Sequence, residues 1–176
     1  MRIAIINDDM PFLVDSVAAG LATANVAIER LIHPVVDVER DADGALTRLS
    51  EKRGSAGKRE SFIYVETSRI DAKERRALAD SLAVVLEDVR CAVADWRKMQ
   101  GAMSDDADSL PEGEGAALMR WFMDGALTVL AHERIIGDGE RETRLGLARS
   151  SDTALLSERK HYPGAQPFLP KADRRR

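Results

Sequence analysis

The chain has one cysteine, Cys91, so no internal disulfide can form, and a lone thiol fits a reducing cytoplasm. Aromatic residues are only 5% of the sequence, and no apolar run approaches the roughly 20 residues that span a bilayer. The apolar start, Ile3 to Ile6, is shorter than the core of a signal peptide and is followed at once by Asp8-Asp9. A soluble, cytoplasmic protein without membrane contact is expected. There is no excess of positive charge: the formal net charge is −4 and the pI about 5.5, which gives no general attraction to nucleic acid. Glycine-rich phosphate loops are missing too. Gly113-Glu114-Gly115 lacks the third glycine of a dinucleotide turn, and Gly57-Lys58-Arg59 lacks the spacing and hydroxyl of a phosphate loop. No nucleotide site is expected in this segment. What remains is 44% hydrophobic and 32% charged residues in 176 positions, enough to bury an ordinary globular core.

Along the chain the apolar spacing changes period several times. Ile3-Ala4-Ile5-Ile6 predicts a buried strand. Pro11 suits a first helical position, with Asp9 or Met10 as cap, and Leu13, Val14, Val17, Ala18 and Leu21 form one helical stripe that Asn25 closes. From Val26 the pattern is that of a strand. Ile28, Ile32, Val36 and Val38 share one face, and Pro34 puts the strand at an edge or marks a bulge. Asp41-Ala42-Asp43-Gly44 is a turn, Ala45 to Leu49 returns as a short strand, and Ser50 to Arg59 reads as a mobile loop tip. Phe62-Ile63-Tyr64-Val65 is the third convincing strand. Asp71 and Glu74 resemble a capping box that opens a long helix through Leu78, Leu82, Val85, Val89, Ala92 and Trp96 to about Met99.

Beyond it the composition shifts. Residues 101–111 read as an acidic linker, and Ser109-Leu110-Pro111-Glu112 as a second capping box. Residues 112–149 read as a helix presenting Leu118, Trp121 and Phe122, then a hairpin from Leu127 to Ile136 and about Thr143 to Ala148 across Gly137-Asp138-Gly139. Residues 150–176, ending in Arg174-Arg175-Arg176, read as poorly ordered or a cut end. Strand, helix, strand, strand, helix over residues 1–100 predicts an α+β domain with both helices on one face of a small antiparallel sheet, the split βαβ arrangement. The last strand of that motif is not evident after the long helix. Leu127 to Ile136 or a partner chain can supply it.

Asp9-Met10-Pro11-Phe12-Leu13-Val14, the helix to Leu21, and Asn25-Val26-Ala27-Ile28 resemble the ACT-domain signature, in which an aspartate and a proline precede a glycine and two apolar residues, and a second glycine leads into the next strand. Phe12 and Asn25 stand where those two glycines are expected. The run Asn7 to Val17 is similar to one near the amino terminus of the very large bacterial NAD-specific glutamate dehydrogenases. Leu31 to Val36, the Asp41 to Gly44 turn, Glu60 to Glu66, and Leu118 to Gly125 leading to Leu127-Thr128 continue the likeness over most of residues 1 to 149. The resemblance implies an ACT/ferredoxin-like βαββα(β) sandwich at residues 1–100 with a helix and β-hairpin extension. It also implies a non-catalytic regulatory or oligomerisation segment. Its parent would oxidise L-glutamate with NAD and water to 2-oxoglutarate, ammonium and NADH. NAD then belongs to the parent, and the segment itself needs no cofactor. Expected partners are further copies of the chain, downstream domains of the parent and an amino-acid effector.

The candidate effector or interface turn is Asn7, Asp8, Asp9, Met10 and Phe12. The alternative reading is a module that senses a free amino acid there, but a phenyl ring at position 12 fills space that a small ligand needs. Asp8, Asp9 and Asp15 can be imagined around a hard cation. Capping by Asp9, with Asp8 and Asp15 solvated, explains them better. His33, His132 and His161 share no ligand spacing with Cys91 or with one another, so no metal site is expected. Cys91 lies opposite its helix's apolar stripe and has no paired base, which makes an exposed, unreactive thiol the expectation. Trp96, Trp121 and Phe122 are read as core or interface anchors, and Lys52, Arg53, Lys58 and Arg59 as a solvated loop. No nucleophile is paired with a base, so no catalytic residue is assigned.

Overall fold

The computed structural model describes residues 1–50, 57–136 and 140–149. The chain divides into two compact units, Met1–Lys98 and Met99–Arg176.

In the first unit, β1 (Arg2–Asp8) leads to α1 (Leu13–Thr23) and then to β2 (Ile28–Ile32) and β3 (Val35–Arg40). Strands β4 (Leu46–Ser50) and β5 (Lys58–Thr67) follow, and then α2 (Ala72–Ser109). All pairings are antiparallel. β5 is central, with β1 on one side and β2 and β3 end to end on the other, while β4 adds outside β3. Pro34 causes the break between β2 and β3. It has no N–H to give the ladder, but its carbonyl still accepts from Phe62 N at 3.0 Å.

Local chemistry explains the ends of these elements. Helix α1 stops in a left-handed Asn25 (φ 55°), with Asn25 N donating to Ala22 O and Val26 N to Leu21 O, the paired bonds of a Schellman cap. In the hairpin turn, Asp41 Oδ1 accepts from Asp43 N at 3.0 Å and Ala45 N at 2.8 Å, and Gly44 takes φ 81°. Asp71 and Glu74 form the expected capping box, with Glu74 N to Asp71 Oδ1 at 2.8 Å and Asp71 N to Glu74 Oε2 at 3.1 Å.

Leu13, Val17 and Leu21 of α1 and Leu78, Leu82 and Val89 of α2 pack on Ile63 and Val65 of β5, with Ile3, Ile5 and Leu31 at the margin. Val85, expected in this stripe as buried, is only half-buried. The helices cover one sheet face. The other bears Ile6, Phe62, Tyr64, Ile32 and Val36, so the apolar set read from Val26 onward turns away from the helices. A register shift between Ile28 and Arg30 also takes Ile28 off that common face, placing it opposite Thr67.

Two expectations about α2 change. The acidic run at 101–111 is not a linker but helix through Ser109, because Met99, Met103 and Ala107 continue the four-residue spacing and are buried in the second unit's core. Ser109 opens no helix either. Its hydroxyl donates to Asp106 O at 2.7 Å and ends α2, while α3 (Glu114–Trp121) starts after Gly113 without a side-chain cap. In the second unit α3 closes in a wide turn at Phe122–Ala126 with Gly125 at φ 92°. Then β6 (Ala131–Ile136) pairs with β7 (Glu140–Gly146) as a separate two-stranded sheet. Phe122, read with Trp96 and Trp121 as a core or interface anchor, faces the second core together with Met119 and Met123, while Leu118 and Trp121 are 50% and 58% exposed, so Trp121 is no core residue of the single chain. Trp96 is likewise exposed. The tip of the Ser50 to Arg59 loop, the turn at 137–139, His161 and the segment 150–176 lie outside the described residues.

Candidate functional site

The turn between β1 and α1 is built by the start of β5. Asp9 N donates to Arg59 O at 3.0 Å, and the Asp9 carboxylate accepts from Ser61 Oγ at 2.8 Å and pairs with Arg59 Nη2 at 3.1 Å. Asp8 pairs with Lys58 Nζ at 2.6 Å, and Asn7 Nδ2 donates to the Asp8 carbonyl at 2.9 Å. Met10 packs against the first core. Asp9 therefore does not cap α1. The helix starts after Phe12 with no side-chain cap, and Asp9 instead ties the turn to β5, where the buried Ser61 takes one carboxylate oxygen and Arg59 the other. Lys58 and Arg59, expected as a solvated loop, are the first residues of that strand. Asp15 is exposed, as expected.

Phe12 has φ 68°, and its residue is 45% exposed. The ring thus turns outward instead of sealing the turn, while the backbone keeps the left-handed shape that glycine adopts without strain.

Below the turn the open sheet face holds one strong ion pair. Arg40 Nε and Nη2 donate to Glu60 Oε1 and Oε2 at 2.7 and 2.8 Å, and Arg40 Nη1 reaches Gly44 O at 2.8 Å. The Glu60 side chain is only 5% exposed. The Arg40 guanidinium holds the Glu60 carboxyl below its ordinary value, winning over the desolvation that pushes it up. At the far end of the same face Glu66 sits between Arg2 (3.8 Å) and Arg30 (3.6 Å) and accepts from Tyr64 Oη at 2.8 Å, which raises the phenol above its usual range. An open cleft of about 610 Å³ lies there, lined by Arg2, Glu66, Arg69, Ile70 and Arg75 among others. None of Asn7 to Phe12 lines it.

The second unit contains a cluster that sequence reasoning missed. His132 Nε2 lies 2.7 Å from Asp106 Oδ2, and Arg134 Nη2 bonds Asp106 Oδ1. Burial pushes the Asp106 carboxyl up, but the His132 and Arg134 hydrogen bonds together hold it below its ordinary value. The other imidazole nitrogen, Nδ1, is buried without a partner. These residues lie 26 and 28 positions apart, so no local spacing announces them. Cys91 is partly buried where exposure was expected, with its sulfur 3.8 Å from Glu87 Oε1 and the buried Asp95 one turn further along the same side of α2. Among the described residues no group of three or more His, Cys, Asp or Glu is placed to hold a metal ion, and no helix is long and apolar enough to cross a membrane.

The family described as glutamate dehydrogenase, ACT1 domain, matches residues 1–82, which hold the whole five-stranded sheet, α1 and the start of α2. Residues 1–82 belong to the glutamate dehydrogenase ACT1 family. Two relatives are both NAD-specific glutamate dehydrogenases. The one from Pseudomonas aeruginosa is 31% identical over 184 residues, covering 90% of this chain and 11% of the relative. The one from Halomonas elongata is 26% identical over 169 residues, covering 88% of this chain and 10% of the relative. The chain thus spans only about a tenth of the length of either relative. Both positions where the ACT signature has glycine, Phe12 and Asn25, have positive φ.

Proposed function

We propose that this chain is a non-catalytic regulatory and oligomerisation segment of an NAD-dependent glutamate dehydrogenase, the enzyme that converts L-glutamate, NAD and water to 2-oxoglutarate, ammonium and NADH. The observation that carries the reading is the ACT1 match to a sheet whose acidic turn residues are engaged in folding: Asp8 and Asp9 are held by Lys58, Arg59 and Ser61. NAD and the catalytic groups belong to other parts of the cytoplasmic parent, and the segment's partners are further copies and downstream domains. The test has two arms. The pure 176-residue chain is expected to form no NADH from glutamate and NAD. The parent enzyme lacking this segment is expected to keep its dinucleotide site but change its assembly or its response to effectors. NADH formation by the isolated chain, or a truncated parent unchanged in both assembly and regulation, sinks the proposal.

A second reading has one observation in its favour. Because the Phe12 ring points largely to solvent, the space beside the turn is not filled by it, which suits a sensor of a free amino acid. Asp8 and Asp9 weigh against it, since they already hold Lys58 and Arg59, the cations at the turn that a ligand carboxylate would need.

A further inference from the structure

Strand β1 has one occupied side and one open side. Thr67 N donates to Met1 O at 2.9 Å and Asp9 N to Arg59 O at 3.0 Å, so the odd-numbered residues direct their backbone groups at β5. The N–H and C=O groups of Arg2, Ala4, Ile6 and Asp8 point the other way. Asn7 Nδ2 covers the Asp8 carbonyl, which leaves the ladder of Arg2, Ala4 and Ile6 free. No described strand pairs with that side. β6, which the sequence offered as a filler, pairs with β7 in its own sheet. Natural sheets blunt an open edge with charged side chains, proline or a bulge. β1 has no proline or bulge, its register against β5 running unbroken from Arg2 to Asp8, and its two charges, Arg2 and Asp8, stand only at its ends.

We propose that β1 pairs antiparallel with β1 of a second copy, across a two-fold axis at Ala4. This rests on the oligomerisation reading above and names its contact. With the axis at Ala4, Ala4 faces its own copy and Arg2 faces the partner's Ile6, and the three free residues on each strand exchange six backbone hydrogen bonds. Ala4 lies on the axis as a hydrogen-bonded pair, and its small side chain leaves the flanking Ile6 and Arg2 side chains free to pack across it. On the helix-bearing side Ile3 meets the partner's Ile5, both only half-buried in the single chain. On the other side the pairing covers Ile6, which is 53% exposed, with the stem of the partner's Arg2. The Arg2 guanidinium then lies diagonal to the partner's Asp8, one side-chain step beyond Ile6 and within reach of a long side chain. Opposite charges at the two ends of β1, which within the chain face Glu66 and Lys58, are thus brought together twice by symmetry. An unrelated strand has no reason to match all three features, whereas a second copy of the same strand does.

The test is sedimentation of the 176-residue chain from low to high micromolar concentration, with amide exchange followed over the same range. A dimer is expected. The Ala4 and Ile6 amides should gain protection as it forms, while the Ile3 and Ile5 amides, bonded to β5, exchange slowly throughout. Ala4→Pro removes an outward N–H that bonds nothing within the chain, and Ile6→Lys places a charge on a half-exposed site. Each should keep the melting behaviour and weaken dimerisation about tenfold or more. If Ala4→Pro fails to fold, Ile6→Lys carries the test. Leu49→Lys, on the outer strand β4, should leave the dimer intact. A dimer that survives both β1 variants, or that only Leu49→Lys breaks, overturns this contact but not the oligomerisation reading. A monomer at every concentration also overturns it, including one whose Ala4 and Ile6 amides are always protected because the chain's own residues fill the edge. The reading under it stands or falls separately, on the truncated parent enzyme.

Discussion

Helices α1 and α2 meet at Gly20. A Cβ built there lies 3.2 Å from Leu82 Cδ2 and 3.6 Å from Val85 Cγ2, and Leu82 is buried. Gly20→Ala therefore sets two effects against each other. Replacing glycine in a helix interior gains about 0.5–1 kcal/mol from backbone entropy. Overpacking a filled contact costs about 1–3 kcal/mol, because Leu82 must leave its rotamer or the helices must part by a few tenths of an ångström. The expected net result is destabilisation by up to about 2.5 kcal/mol, the difference of those ranges. Leu82→Ala alone should cost about 2–5 kcal/mol for a buried leucine that leaves a cavity. In the double variant the new methyl group enters the space that Leu82 vacates, so Gly20→Ala should switch sign and become stabilising. The coupling between the two sites should then reach about 1 kcal/mol or more, inside the range for residues in contact. Urea unfolding measures this, with Trp96 as reporter of the first unit in a Trp121→Phe background and a separate transition allowed for the second unit. If Gly20→Ala stabilises by the full helix-propensity gain and adds independently to Leu82→Ala, the close α1–α2 contact is refuted.

Two further outcomes follow from the site. Phe12→Gly removes a left-handed phenylalanine, relieving about 1–2 kcal/mol of backbone strain against about 0.5–1 kcal/mol of added chain entropy, so its urea midpoint should stay near or slightly above the parent's. Calorimetric titration with glutamate and a panel of amino acids should show no saturable binding at the wild-type turn, and binding there refutes a purely structural turn. Asp106 titrates with a depressed folded pKa, so its contribution is complete above the unfolded value of about 3.9 and is lost as pH falls below that toward the folded value. Asp106→Asn should remove this acid-induced loss from the Trp121-reported transition, and an unchanged pH profile counts against the His132–Asp106–Arg134 cluster.

The sequence showed the first unit through local signals that need no tertiary information. The period of α1, the αL cap at Asn25, the Asp41 turn and the Asp71–Glu74 box each depend on residues within five positions. It failed where two local signals competed or where contacts were distant. Acidic residues at 105, 106 and 108 suggested a linker, yet Met99, Met103 and Ala107 kept helical spacing and prevailed, because burying three apolar side chains outweighs exposing carboxylates that already face solvent or cations. Ser109 carried a capping signature, but it is the last residue of α2, where its hydroxyl donates to Asp106 O, and α3 starts only after Gly113. Period-two alternation grouped Ile32, Val36 and Val38 correctly on one face but held no information on which face the helices would cover.

Phe12 and Asn25 bear most directly on what this copy of the domain is for. Their positive φ values of 68° and 55° lie at the two places where the ACT signature has glycine, on either side of α1. The backbone path is therefore retained while the residues that make it easy are not. Asparagine tolerates that conformation, and at the helix end its bonds complete the Schellman cap, so Asn25 needs only a structural explanation. Phenylalanine does not tolerate it, and Phe12 recovers little by burial because almost half of it faces solvent. An aromatic ring held outward on a strained turn, beside two carboxylates already paired to β5, suits a contact with another protein surface better than a cage for a small anionic ligand. The strain at Phe12 thus favours the oligomerisation reading over the sensory one.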